Sequence, residues 1–80
     1  MLTNDQKTLI ENKLCYALRV FHDLDDKERR NAMSKDFFWK FCQENNLDPK
    51  EVFEIVEKDL KDPSKRSFSN YQDSIEAIRE

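Results

Sequence analysis

Eighty residues, 38% of them hydrophobic, with a net charge of −3 and no glycine, provide material for one modest core and no room beside it for a deep catalytic cavity. Without glycine, phosphate-cradling loops, dinucleotide-binding turns and nucleophile elbows are excluded, since each needs a backbone position free of a side chain. No apolar run approaches the roughly 18 residues of a membrane span, and the opening Met1-Leu2-Thr3-Asn4-Asp5 lacks the basic start of an export signal. A soluble, cytoplasmic, single helical domain over residues 1–80 is the expectation.

Thr3-Asn4-Asp5-Gln6 has the form of a capping box, from which a helix can run to about Leu24. Ile10, Leu14, Ala17, Leu18, Phe21 and Leu24 fall on one stripe of it. Leu9, Tyr16 and Val20 form a second stripe beside the first, so the apolar arc spans about 200° at 100° per residue, wider than a surface helix needs. Cys15 on this helix and Cys42 further on form no Cys-x-x-Cys pair and have apolar neighbours in sequence. They read as two reduced, buried thiols rather than a disulfide.

The acidic stretch Asp23 to Asp26 interrupts the pattern, and Asp25-Asp26-Lys27-Glu28 offers a capping box for a short polar helix ending near Met33. Ser34 then serves as N-cap for a helix over about 35–45, with Phe37, Phe38, Phe41 and Cys42 on one arc. Trp39 projects about 200° from Phe37 and misses that arc. With no glycine available, Asn45, Asn46 and Asn31 are the residues suited to left-handed helix ends.

Four helix-start signals coincide at Leu47-Asp48-Pro49-Lys50-Glu51-Val52: Asp48 as N-cap, Pro49 at N1, Glu51 closing a capping box, and Leu47 stapled to Val52. An aromatic helix, a turn through Gln43-Glu44-Asn45-Asn46 and this second helix resemble a helix-turn-helix over about 35–61. The second helix carries Val52, Phe53, Val56 and Leu60 inward and can pair Glu54 with Lys58 and Glu57 with Lys61 outside. Pro63 ends it, and Ser64-Lys65-Arg66-Ser67 reads as a loop. Ser69-Asn70-Tyr71-Gln72 caps a last helix with Phe68, Tyr71, Ile75 and Ile78 as its docking stripe. The fold expected is all-α, a compact array or bundle of four main helices plus one short one.

Catalytic chemistry finds little footing, so no enzyme, cofactor, metal or small-molecule substrate is expected. His22, the sole histidine, stands near a helix end beside Asp23, where a helix-terminus contact explains it. Asp23, Asp25 and Asp26 lack the glycine turn and terminal glutamate of a calcium loop.

Two binding readings remain. Residues 27–40 carry a net +3, so Lys27, Arg29, Arg30, Lys35 and Lys40, with Lys65 and Arg66, could contact phosphates. The resemblance implies a DNA-binding regulator reading bases from the second helix. That face, however, offers Lys50, Glu51, Glu54, Glu57, Lys58 and Lys61, and three carboxylates without an arginine suit an anionic groove poorly. The other reading starts from surplus apolar side chains: Leu9, Tyr16 and Val20 off the first seam, Trp39 off the third helix and Ile55 at the edge of the fourth. These would anchor a protein partner or a second copy. The protein-binding reading is the favoured one, a small accessory, regulatory or inhibitory factor of the kind that phages and mobile elements encode, by analogy of size and style alone.

Overall fold

Thr3 begins the first helix as its sequence predicts: its hydroxyl accepts from the Gln6 amide at 3.1 Å while the Gln6 side chain accepts from the Thr3 amide at 2.8 Å. In the computed structural model, which describes residues 1–62, 64 and 71–79, this helix, α1, spans 4–22. It is α-helical over Asn4–Leu9, π-helical over Ile10–Cys15 and α-helical again over Tyr16–His22. The π section departs from the regular helix expected, and the spacing of the buried residues accounts for it. Ile10, Leu14, Leu18 and His22 recur every fourth position and all are buried. An α-helix of 3.6 residues per turn would let such a row drift by about 40° per step, and one wider turn takes up the excess.

The second helix corrects the expectation of two. A single unbroken α2 covers Lys27–Glu44, so the short helix ending near Met33 and the aromatic helix over 35–45 are one element, and the molecule has four helices among the described residues, not four plus one. Asp26, one residue later than expected, is the N-cap, accepting from the Arg29 amide at 3.2 Å. Ser34 caps nothing; it is wholly buried mid-helix, and Asn31 is interior to the helix too. The buried stripe runs Arg30, Ser34, Phe38, Phe41 and Cys42, so its first two members are polar. Hydrophobic patterning alone therefore stops where the stripe changes chemistry.

The joint after α2 follows the local physics. Asn46 has φ 53°, the left-handed position that an asparagine tolerates, directly after the C-cap Asn45. The Leu47 amide donates to the Cys42 carbonyl at 2.9 Å and the Asn46 amide to the Gln43 carbonyl at 3.3 Å, the paired bonds of a Schellman turn. Helix α3, Pro49–Leu60, starts at once. Asp48 caps it by accepting from the Lys50 amide at 3.0 Å, while Glu51, expected to close a capping box, instead places its carboxylate 3.2 Å from the Met1 amino group. Val52, Val56, Asp59 and Leu60 face inward, and Lys61 meets Glu57 at 3.6 Å outside.

Helix α4 covers Tyr71–Arg79 with Ile75 and Ile78 fully buried. Its expected cap Ser69-Asn70, the stripe residue Phe68, the stop at Pro63 and the loop residues Lys65, Arg66 and Ser67 lie outside the described residues. Ser64 turns back on Asp62, donating from its amide at 2.9 Å and its hydroxyl at 2.7 Å to one carboxylate oxygen.

The fold is all-α, with no strand among the described residues. One core cluster joins Ile10, Leu14 and Leu18 of α1, Phe38, Phe41 and Cys42 of α2, Val52, Val56 and Leu60 of α3, and both isoleucines of α4. The two arms of the joint seek different neighbours: α2 packs chiefly on α4, and α3 on the π-helical part of α1. The radius of gyration, 11.7 Å, matches the roughly 12 Å of a folded chain this long.

Candidate functional site

Rotation by 100° per residue separates Phe38 from Trp39 on α2, so when Phe38 is buried its neighbour is carried to the edge of the helix. Trp39 is 43% exposed and meets Phe38 edge-to-face, centroids 5.4 Å apart. It flanks an open groove of about 570 Å³ to which three helices contribute: Phe38 and Trp39 from α2, Pro49, Lys50, Phe53 and Glu54 from α3, Ile78 and Arg79 from α4. The floor is aromatic, since Phe38 and Phe53 also pack edge-to-face at 6.2 Å. One rim is fixed by Arg79, whose guanidinium stands 5.1 Å over the Phe53 ring and donates to Glu57 at 2.9 Å. The volume falls in the range of ligand and peptide clefts. Its apolar floor and three charged rim residues equip it to hold a side chain.

None of the other expected anchors lines this groove. Tyr16 and Val20 lie one turn apart on α1 and are 66% and 49% exposed. Leu9 and Ile55 are partly buried and packed against the core, so they serve packing first. The basic set is dispersed as well. Arg30, expected to contact phosphate, is only 7% exposed and donates to the Leu24 carbonyl at 3.3 Å, because it occupies the first turn of the buried stripe on α2. Lys27 pairs with Asp73 at 3.4 Å and Lys40 with Glu44 at 4.0 Å. Arg29 is exposed and Lys35 half-buried.

A second polar constellation escapes the sequence reading. Arg19 donates through Nη1 to the Asp59 carboxylate at 2.8 Å and through Nη2 to the Asp59 carbonyl at 2.9 Å, clamping α1 to α3. The signal is present in the chain: Asp59 falls on the Val52–Val56 stripe at helical spacing, where a charge needs a partner. Cys15 faces this pair rather than a wholly apolar wall. Burial raises its thiol pKa far above the ordinary range, and the charge of Asp59 and a hydrogen bond to it raise it further. Burial also pushes the Cys42 thiol up to about 11, with Asp48 adding to the shift. Both cysteines are buried and free. Protonated, enclosed thiols are poor nucleophiles. His22 is buried in the last turn of α1 and does not line the Trp39 groove.

Among the described residues, no group of three or more histidine, cysteine or acidic side chains could hold a metal ion, and no helix is long and apolar enough to cross a membrane. In comparisons with protein-family models, curated proteins and solved structures, nothing matches this chain.

Proposed function

We propose that this chain acts without catalysis, as a small regulatory or inhibitory factor that binds a protein through the groove flanked by Trp39. The observation that carries this reading is a tryptophan left 43% exposed at the edge of a cleft with an aromatic floor. A tryptophan contributes much contact area with few rotatable bonds, which is why such residues anchor protein interfaces. The mixed rim of Lys50, Glu54 and Arg79 adds polar contacts of both signs around it. Duplex DNA is the less favoured partner. Arg30 is withdrawn from solvent, Lys27 and Lys40 each face a carboxylate, and the exposed face of α3 alternates Lys50, Glu54 and Lys58.

Trp39→Ala tests the reading. Because so much of the side chain already meets water, the variant is expected to lose no more than about 1.5 kcal/mol in urea unfolding. Capture of a native partner from the host of origin, scored for protein and for nucleic acid, is expected to fall at least tenfold. A variant that no longer folds would make Trp39 part of the core, and undiminished capture would place the working surface elsewhere.

A further inference from the structure

Helices α2 and α4, which pack on one another, each bury a side-chain hydroxyl with nothing to bind. Ser34 Oγ on α2 and Ser74 Oγ on α4 are buried without a hydrogen-bond partner among the described residues. Lys27 pairs with Asp73, and Phe38 and Ile78 share the Trp39 groove; along the chain Ser34 falls between the two residues of α2, and Ser74 between the two of α4. Ser34 is completely buried and Ser74 very nearly so. Burying such groups unpaired opposes the gain from Ile75 and Ile78, and exposure to water removes that penalty. Among the described residues the other ties of α4 are two solvent-exposed ion pairs, Lys27–Asp73 and Arg79–Glu57, which are weak, and the Arg79 guanidinium over the Phe53 ring.

We propose that α4 is a release element, a helix that leaves the body of the protein by local opening while α1, α2 and α3 stay folded. A nine-residue helix is too short to persist alone, so the released segment loses its helix. Departure of Ile78 and Arg79 removes one wall of the Trp39 groove and bares the Phe38 and Phe53 rings beneath. The cleft thereby gains apolar surface when the helix leaves. The release follows from packing alone, so it stands or falls separately from protein binding at Trp39.

Amide hydrogen exchange on the intact chain tests it. The amides of Ile75 and Ile78 are expected to exchange at least about 100-fold faster than those of Val52 and Val56, which open only with the whole fold. Ser34→Ala and Ser74→Ala, each removing an orphaned hydroxyl at nearly constant volume, are each expected to slow α4 exchange about tenfold. Exchange of α4 in step with α3 in the unmodified protein would overturn the proposal with no variant needed. Fast α4 exchange that both replacements accelerate or leave unchanged would overturn it as well, because the hydroxyls would not then be driving release.

Discussion

Asp59 is held by Arg19 through two hydrogen bonds, one to its carboxylate and one to its own carbonyl, with side chains 5% and 16% exposed. A pair so enclosed contributes little net stability against a well-packed apolar pair, yet breaking it from one side is costly. Asp59→Ala is therefore expected to destabilise the fold by about 3 kcal/mol, read as a lower urea midpoint at unchanged slope. Arg19→Met with Asp59→Leu is expected to recover most of that loss; a single variant within about 0.5 kcal/mol of the parent would deny the clamp any structural weight. The same residues mark where reading by composition stops. By residue type alone Asp59 belongs with the acidic surface, because single-residue chemistry says nothing of an arginine forty positions away that folds onto it.

Among the elements, the joint between α2 and α3 was legible because every signal in it is local. Asp48 and Pro49 act within one turn of where they stand, and a chain without glycine has few residues to offer at a left-handed position. Asn46 supplies it at φ 53°. Asn46→Ala is expected to cost about 1 kcal/mol and Asn46→Gly to cost nothing or stabilise slightly, in thermal or urea unfolding. Equal effects of the two would mean that the turn does not depend on left-handed geometry. By contrast, the continuity of α2 was hidden. Ser34 and Arg30 look like surface residues in sequence, yet packing of other elements against α2 buries both. That Trp39 leaves the aromatic arc could be worked out from helical rotation; that a cleft lies beside it could not, since three helices must meet to form it.

Taken whole, the molecule concentrates its apolar side chains in one cluster, and its buried polar side chains differ in how they are satisfied. The Arg19–Asp59 pair is satisfied and ties α1 to α3, whereas the hydroxyls of Ser34 on α2 and Ser74 on α4 are buried without a partner. On the proposed release of α4, opening is expected to be local where α4 docks and global where α1 meets α3. The protein-binding surface proposed at Trp39 sits across the boundary, with α2 and α3 on one side and Ile78 and Arg79 on the other. A partner there would sense both halves.

The π-helical turn of α1 has one more consequence, in how the chain tolerates changes of length. Between Ile10 and Leu14 the helix carries one residue more than a regular turn would, and Glu11, Asn12 and Lys13 in that interval are all exposed. Excising Lys13 would bring Ile10, Leu14, Leu18 and His22 to intervals of three, four and four, the stripe of an uninterrupted α-helix. The shortened chain is expected to keep its helical circular dichroism and cooperative melting, whereas excising Asp36 from the regular α2 would rotate every following aromatic out of register and abolish both. Equal damage from the two excisions would show that the wide turn is not a stored residue. If the contrast holds, the first helix contains its own allowance for deletion, a place where the gene can shorten by one codon without redrawing the core.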